Sequence, residues 1–393
     1  MREPVLPEKV LYVITKMRDF GYRADIVGGC VRDFLLNRPC SDYDVTTNAR
    51  PEEVKRIFVG EKIVETGIRH GTVTLILGSE SYEITTYRTD GEYSDSRHPN
   101  EVAFTERLQD DVARRDFTMN SICYNQFDKF SDYYGGIEDV NRRIIRAVGD
   151  PVRRFDEDAL RILRAIRFSS TLGFSIEKKT EEAIFLHKEK IRNISRERVF
   201  EEYKKLLHGE NAHSVLEKYR EIIEISIPEL AGFALPPKEV FDGMSKEAKS
   251  ISLFKDAHMY DKAMRGLHAD NKTRLNGVSV LENLNAKSDT EYDMLLILSR
   301  LDVEITKLLL EVKIALKLCD FSKMQMLEAL LKRAPIYKIS SLKVNGDDLL
   351  ALGARGAQVG VILKCILCEV MEKNLENDRE KQILRVTEII NKA

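Results

Sequence analysis

The pattern of apolar residues changes at about residue 150, and this change limits what the chain can fold into. From residue 24 to 140, short β-rich runs alternate with segments that show helical spacing. After about residue 150, apolar residues recur at intervals of three and four almost to the C-terminus, first at 155–171, 178–187, 195–207 and 212–219, with a glycine-rich break at 345–360. We therefore expect an α/β domain at the N-terminal end, followed by a long all-helical remainder.

The composition excludes several classes of protein. There are 62 Lys and Arg residues against 64 Asp and Glu residues, so the net charge of −2 excludes a histone-like polycation but not a local basic patch. With 43% hydrophobic residues, the chain can bury a core. No stretch approaches the roughly 18 apolar residues of a membrane span, and six scattered cysteines follow no secretory leader. We expect a soluble, cytoplasmic protein.

The first candidate site lies where the apolar run 24–27 ends at Gly28 and Gly29 and a helical segment, 30–36, begins. Glycines at such a turn let the backbone approach a phosphate closely, and the helix N-terminus presents free N–H groups. Arg32, in the first turn, adds a positive charge. Alone, a turn of this kind is more often structural than functional.

Acidic residues follow at Asp42 and Asp44, ten residues beyond Arg32. If 42–46 is a strand, the two carboxylates project from one face, about 6–7 Å apart. Converging carboxylates suit Mg²⁺ that also binds triphosphate oxygens, and such ions activate a hydroxyl and stabilise a pyrophosphate leaving group. Glu83, in another predicted strand, is a candidate third carboxylate near a primer 3′-hydroxyl. A phosphate-binding turn followed by this acidic pair predicts a nucleotidyl-transfer site.

The sequence also resembles a known family in five ordered motifs. Residues 28–33 followed by 42–44 resemble the first motif of the class II tRNA nucleotidyltransferases, the CCA-adding enzymes, of the polymerase-β-like superfamily. Four further segments resemble the second to fifth motifs in the same order: 114–120, 132–136, 157–161 with Arg164 and Arg167, and 194–198. In the family these bind ribose and phosphate, form the head–neck hinge, read the nucleotide and stabilise a helix.

The resemblance implies an architecture and a set of site residues. The family has an α/β nucleotidyltransferase head with a small mixed β-sheet, followed by an all-α neck, body and tail, arranged like a seahorse. We expect a head at 1–140, a neck at 141–210, and a tRNA-binding body and tail at 211–290 and 291–393. The predicted catalytic residues are Asp42, Asp44 and Glu83, with Mg²⁺ on Asp42 and Asp44. The predicted nucleotide-binding residues are Gly28, Gly29, Arg32, Arg115, Asp116, Asn120, Asp158, Arg161, Arg164 and Arg167.

The neck segment carries side chains suited to reading a base. Asp158 and Arg161 are three residues apart and, on one helix, can lie side by side. Cytosine and adenine each present an amino donor beside a ring-nitrogen acceptor, which a carboxylate and a guanidinium can bind. Uracil and guanine present the reverse pattern. Residues 142–167 also contain eight arginines, no lysine and four acids, a composition suited to phosphates and bases.

The segment 88–104 joins a predicted strand to the next helix. It contains Asp90, Asp95, Arg97 and Pro99, and its polarity and length predict a mobile loop. The segment resembles the flexible loop of CCA-adding and A-adding enzymes, which CC-adding relatives shorten. We expect Asp90 or Arg97 to contact the neck when adenine follows cytosine.

The predicted function is template-independent addition of C, C and A to the 3′ end of tRNA from CTP and ATP, with release of pyrophosphate. A-adding or CC-adding enzymes are the nearest alternatives. A poly(A) polymerase is less favoured, because the last 23 residues hold five basic and five acidic side chains and form no basic extension. A non-catalytic RNA-binding protein is least favoured, because both aspartates of the acidic pair are present.

Overall fold

The computed structural model describes residues 3–40, 42–91 and 102–392, and leaves the side chains of Asp90 and Val102 undescribed. It divides into two compact units, Met1–Ser226 and Ile227–Ala393. The strands all belong to the first unit: β1 Ala24–Val27, β2 Val45–Thr47, β3 Lys62–Val64, β4 Thr72–Leu77, β5 Glu80–Thr86, β6 Arg88–Asp90, β7 Val102–Phe104, β8 Cys123–Asn125, β9 Lys129–Ser131, β10 Ile144–Ile145 and β11 Ser175–Ile176.

Helices occur in both units. Those of the first unit are α1 Glu8–Asp19, α2 Gly29–Leu35, α3 Pro51–Ile57, α4 Leu108–Ala113, α5 Gly136–Asn141, α6 Pro151–Glu157, α7 Leu160–Leu172, α8 Lys178–His187, α9 Arg196–Leu207, α10 Ala212–Lys218 and α11 Arg220–Ser226. Those of the second unit are α12 Lys238–Gly243, α13 Lys246–Ser252, α14 Ala257–Gly266, α15 Asn271–Glu282, α16 Glu291–Arg300, α17 Val303–Ala315, α18 Ser322–Lys332, α19 Gly346–Ala351, α20 Ala357–Met371 and α21 Arg379–Lys392. Among the described helices, none combines the length and the apolar character needed to span a bilayer.

A mixed seven-stranded sheet organises the first part of the chain, in the order β3-β4-β5-β2-β1-β8-β9. Only the β2–β5 pair is parallel among these neighbours. Alternation along β4 buries Val73, Leu75 and Leu77 on one face. Because β1 and β2 are antiparallel, the C-terminal end of β1 lies beside the N-terminal end of β2. This pairing brings the Gly28 turn next to the Asp42–Asp44 segment.

The helices after residue 150 are joined to the sheet domain through the main chain. The Thr118 amide donates to the Arg146 carbonyl (2.9 Å), and the Val148 amide donates to the Asp116 carbonyl (3.1 Å). Beyond this junction, β10 pairs in parallel with β11, and α7 packs on α9. Asp116 therefore lies where the sheet domain meets the helical segment, within one compact unit.

The segment 132–136 forms a cap that seats α5. Asp132 accepts hydrogen bonds from the amides of Gly136 (2.8 Å) and Ile137 (2.9 Å). A Cβ atom at Gly136 would lie 2.1 Å from the Thr118 carbonyl oxygen, so only glycine allows this approach. The α5 N-terminus is thereby held against the 3₁₀ turn Thr118–Asn120.

The second unit is helical throughout its described residues and has its own buried clusters. One cluster contains Met294, Leu298 and Leu310 together with residues of α18 and α20. Another is formed by α19, α20 and α21 around Leu349, Ile366 and Val386. The spacing of three and four seen in the sequence is therefore the spacing of core positions on these helices.

The expected fold class, a mixed-sheet head followed by a helical remainder, is confirmed, but two predicted elements differ. The strand predicted at 42–46 begins only at Val45, so Asp42 and Asp44 precede it. The helical pattern predicted for 155–171 is divided into α6 and α7, with Asp158 extended between them.

Candidate active site

The turn after β1 has a backbone that requires glycine. Gly28 adopts φ +86°, in the region that L side chains avoid, and precedes α2. A Cβ atom at Gly28 would lie 3.3 Å from an Nη atom of Arg115. The turn therefore leaves the backbone open toward the Arg115 guanidinium.

The acidic segment lies directly beside this turn. The Val27 amide donates a hydrogen bond to the Asp44 carbonyl (3.0 Å), which fixes Asp44 at the end of the β1–β2 pair. In the parallel β2–β5 register Val45 pairs with Ile84, so Glu83 occupies the position across from Asp44. Asp42, Asp44 and Glu83 are all exposed. The structure thus places Asp42 and Asp44 just before β2 and Glu83 in the middle of β5, across from Asp44.

The surroundings of Asp44 raise the pKa of its carboxyl group. Although the residue as a whole is exposed, partial desolvation of the carboxylate is the largest cause, and the negative charges of Asp42 and Glu83 act in the same direction, while Arg115 opposes them. Carboxylates that repel one another at a strand end suit a hard divalent cation. The described residues contain no cluster of three or more His, Cys, Asp or Glu side chains arranged to hold a metal. The carboxylate oxygens of Asp42 and Asp44 are donors of the kind that such a cation prefers, and their role as its ligands stays a prediction.

Arg115 is positioned by a buried carboxylate that the sequence did not indicate. Asp111, fully buried, lies 2.8 Å from Arg114 and 3.9 Å from Arg115, and accepts a hydrogen bond from Thr46 (3.0 Å). Burial would raise the pKa of Asp111, but the two guanidinium charges outweigh it and the pKa is lowered. The Arg115 Nε atom is buried without a hydrogen-bond partner in the described structure. Its guanidinium thus retains capacity for an anion.

Asp116 connects the sheet domain to the helical segment. Arg164 of α7 donates to Asp116 through Nε (2.8 Å) and Nη2 (2.6 Å). Asn120 donates to the other Asp116 oxygen (3.0 Å) and accepts a hydrogen bond from Arg32 (2.7 Å). Burial would raise the pKa of Asp116, but the Arg164 charge and these hydrogen bonds lower it to about 2. Four of the predicted nucleotide-binding residues are therefore linked in one network.

The two predicted base-reading residues do not pair with each other. Asp158 lies between α6 and α7, where its carboxylate accepts from the Leu160 amide (3.0 Å) and from Arg198 of α9 (2.6 Å). The expectation that Asp158 and Arg161 share one helix is therefore wrong, because this local hydrogen bond and the Arg198 ion pair stabilise a break. Their main chains are joined, since the Arg161 amide donates to the Asp158 carbonyl (3.0 Å).

Arg161 is held from three sides and is only 8% exposed. Its Nη1 atom donates to Glu157 (2.7 Å) and to the Arg154 carbonyl (3.0 Å), and its Nη2 atom donates to the Arg114 carbonyl (3.0 Å). A guanidinium has five N–H groups, and the three described contacts account for both N–H groups of Nη1 and one of Nη2. The remaining Nε–H and one Nη2–H can donate to a ligand.

Three residues that contact the site are absent from the predicted site residues, although Glu157 and Arg198 lie in the fourth and fifth motif segments. Glu157 pairs with Arg154 and with Arg161, and its spacing of four from Arg161 is a signal that could have found it. Arg198 and Glu202 reach the site only through the packing of α9 on α7. Glu202, buried, accepts from Arg167 (2.6 Å) across 35 residues of sequence, and no sequence signal predicts this pair.

The predicted loop 88–104 begins and ends in an antiparallel ribbon. β6 pairs with β7, with Thr89 opposite Ala103. Asp95, Arg97 and Pro99 lie outside the described residues, and the side chain of Asp90 is undescribed. The predicted contact of Asp90 or Arg97 with the helical segment therefore stays a prediction.

Three family models match successive segments of the chain. A family model described as the poly A polymerase head domain matches residues 24–146. A model of an RNA- and SrmB-binding site of polymerase A matches 173–232, and a model of tRNA nucleotidyltransferase domain 2 matches 249–386. The head model alone does not separate CCA addition from poly(A) synthesis, whereas the third model is named for tRNA nucleotidyltransferases.

Individual relatives extend the match along the chain. A CCA-adding enzyme of Lactobacillus delbrueckii subsp. bulgaricus is 35% identical over 380 residues, covering 93% of this chain and 94% of the relative. One from Lactobacillus helveticus is 46% identical over 225 residues, covering 57% of this chain and 56% of the relative. The crystal structure of the Bacillus stearothermophilus CCA-adding enzyme in complex with CTP superposes with a TM-score of 0.80 at 29% identity, covering 99% of both chains. The chain therefore belongs to the class II CCA-adding enzymes, which are tRNA nucleotidyltransferases.

Proposed function

We propose that this enzyme adds C, C and A in turn to the 3′ end of tRNA from CTP and ATP, without a template and with release of pyrophosphate. The observation that carries the proposal is the Asp116 network, which joins Arg32 beside the Gly28 turn to Arg164 in the helical segment. A phosphate site and a base-reading segment held in one unit can select a nucleotide without a template strand.

The proposed metal ligands are Asp42 and Asp44. Enzymes of this nucleotidyltransferase family depend on a divalent metal, and we propose Mg²⁺, which the carboxylate oxygens favour. When bound, Mg²⁺ offsets the charge of the triphosphate and promotes ionisation of the primer 3′-hydroxyl. The raised pKa of Asp44 is consistent with a site in which added positive charge stabilises the ionised carboxylates.

The proposed nucleotide contacts divide by chemistry. Gly28, Gly29, Arg32 and Arg115 lie around the turn, where they can contact phosphate oxygens. Asn120 and Asp116, also proposed to bind the nucleotide, hold Arg32 in place through the Asn120 hydrogen bond. The Asp158 carboxylate accepts the exocyclic amine of cytosine or adenine. A remaining N–H group of Arg161 donates to the adjacent ring nitrogen, and uracil or guanine would oppose donor to donor there.

The proposed cellular location is based on the state of the cysteine thiols. We propose that the enzyme acts in the cytoplasm, where reducing conditions keep thiols free. All six cysteines are free in the structure. Cell fractionation with detection of the native protein would test this location.

The function is tested by offering purified protein with MgCl₂ three tRNAs, ending before the first C, after one C and after two C residues. Labelled CTP and ATP are supplied separately and together. We expect C, C and then A, stopping at a complete CCA end. Addition of A alone would establish an A-adding enzyme, addition of only two C residues a CC-adding enzyme, and long A tracts a poly(A) polymerase.

The metal assignment is tested in the same assay. Asp42→Ala and Asp44→Ala should each abolish C and A addition, because neither variant retains the paired carboxylates, while tRNA binding in a filter assay persists. Asp19→Ala removes an exposed carboxylate at the end of α1 and serves as the matched control. Near wild-type turnover in either site variant would overturn the assignment, and loss of all activity in the control would show a general charge effect.

A further inference from the structure

One aromatic ring in the enzyme lies among three arginines from two parts of the first unit. Phe168, on α7, is 5% exposed. The guanidinium carbons of Arg167, Arg32 and Arg164 lie 3.7, 5.1 and 5.5 Å from the centre of its ring. Arg32 comes from α2, whereas Arg164 and Arg167 precede Phe168 on α7. The ring is therefore shared by the phosphate-turn arginine and the neck arginines.

The position of the ring is itself fixed. Phe117, fully buried and next to Asp116, packs against Phe168 with the ring planes at 88° and the centres 5.9 Å apart. This edge-to-face arrangement is a favourable aromatic pair. Because Phe117 belongs to the sheet domain, the ring is anchored from the side opposite its own helix.

Three guanidinium groups this close repel one another. Each has a carboxylate partner: Asp33 for Arg32 (2.9 Å), Asp116 for Arg164 and Glu202 for Arg167. Glu202 also lies 4.0 Å from Arg164, and Asn120 links Asp116 to Arg32, so these polar groups connect the arginines at their outer edges. The π face of an aromatic ring attracts a cation and is worth more when water is excluded. Phe168 supplies that attraction from the centre of the group.

We propose that Phe168 is a positioning residue for the triphosphate of the incoming nucleotide, because its ring holds Arg32, Arg164 and Arg167 in one cluster. This inference rests on the proposed function to the extent that these arginines bind the nucleotide. Phe168 itself contacts no reacting atom. Its effect is to fix the guanidinium planes, so that less conformational freedom is lost when phosphate oxygens bind.

The decisive experiment lowers the electron density on the π face of the Phe168 ring and leaves the size of the ring nearly unchanged. Residue 168 of the full chain is replaced by phenylalanine carrying one, two or three fluorine atoms, which progressively weaken the negative face of the ring. The affinity for inorganic triphosphate is measured by calorimetry with MgCl₂ present. We expect the Kd to rise in steps, by about 10-fold across the series, as weakening of such contacts predicts.

Phe174 provides the matched control, since it is also a buried phenylalanine, 3% exposed, just after the same helix. The same fluorinated residues at 174 should leave the Kd unchanged. A flat series at 168, or equal changes at 168 and 174, would overturn the proposal. Failure of the wild-type chain to bind triphosphate would overturn it as well.

Steady-state kinetics provide a second, independent test of the role of Phe168. Phe168→Leu keeps an apolar side chain but removes the π face, so the KM for CTP and for ATP should rise together by about 10-fold, with a smaller change in kcat. Preference for CTP over UTP should not change, because Asp158 and Arg161 are untouched. Phe174→Leu should leave both KM values near wild type, and a KM effect equal to that of Phe168→Leu would overturn the proposal.

Different results would reject the proposed CCA addition and the proposed role of Phe168. If wild-type protein adds no nucleotide to any tRNA, the proposed function is wrong, yet the triphosphate titrations still decide the role of Phe168. If CCA addition is normal and the fluorine series is flat, the function stands and only the role of Phe168 is rejected.

Discussion

At the scale of single residues, Asp116 shows how a buried charge is stabilised where the sheet domain meets the helical segment. An isolated carboxylate in that position would be strongly destabilised by burial. Arg164 and Asn120 lower its free energy enough that the ionised form is favoured down to about pH 2. The carboxylate is therefore structural as well as part of the proposed nucleotide site.

A pH-dependent stability effect follows for Asp116→Asn. The folded-state pKa, about 2, is below the ordinary value of 3.8, so ionisation of Asp116 stabilises the folded enzyme above pH 4. That stability is lost as the pH falls from about 4 toward 2. The variant should lose about 2 kcal/mol at pH 7, measured by urea unfolding, and the gap to wild type should narrow below pH 4. A gap that is constant down to pH 3 would contradict the argument.

Arg161 carries the prediction for base selection. Arg161→Ala should weaken use of CTP and ATP and narrow their advantage over UTP and GTP, each lost contact costing about 1–3 kcal/mol of discrimination. The measurement is the ratio of kcat/KM values among the four nucleotides, which does not depend on the fraction of folded protein.

Arg153→Ala is the matched control for Arg161. Arg153 also pairs with Glu157 (3.3 Å), but its side chain is 74% exposed. We expect its removal to leave nucleotide preference unchanged. Unchanged preference in both variants would identify the Arg161 contacts as structural only.

At the scale of elements, the chain is predictable where one face of an element is buried. Apolar residues at intervals of three and four predicted α8 and α9 almost to the residue, because those intervals mark core positions on a helix. The same spacing runs unchanged through Asp158, so it could not reveal the break between α6 and α7. That break depends on Arg198, forty residues later in the chain.

The start of strand β2 is a second feature that the sequence pattern could not predict. Its pairing with β1 ends because the chain turns away at Gly28, where φ is positive. Asp42 therefore has no strand partner on that side, although its residue pattern favours a strand. The acidic motif could be identified from the sequence, whereas its position before β2 depends on the Gly28 turn at the end of β1.

The β6–β7 ribbon carries the prediction about adenine addition. Accepting adenine after cytosine requires the proposed Asp158 and Arg161 reader to shift, because the purine ring is larger, and we expect the segment between β6 and β7 to gate such a shift. Deleting residues 92–101 should spare both C additions and greatly reduce A addition, scored on tRNA ending in two C residues. Replacement by a glycine-serine linker of equal length separates side-chain chemistry from length. Equal loss of all three additions would assign the segment to general folding or substrate binding.

At the scale of the whole molecule, all of the proposed nucleotide contacts belong to Met1–Ser226 and none to Ile227–Ala393. Ligand binding stabilises the unit that binds it, by about 2.7 kcal/mol at a ligand concentration of 100 Kd. The two units should therefore respond differently to nucleotide and to tRNA, even though they form one chain.

Hydrogen exchange read by mass spectrometry measures this difference directly. CTP with MgCl₂ should slow exchange in peptides around Gly28, Asp44, Asp116 and Arg161, since these surround the proposed site, and should leave peptides of α16–α21 unchanged. A tRNA ending before CCA, added without nucleotide, should slow exchange in both units if the second unit binds tRNA as the family resemblance implies. Asp44→Ala is the control, because it should lose the CTP effect and keep the tRNA effect. Protection of α16–α21 by CTP alone would contradict confinement of the nucleotide site to the first unit.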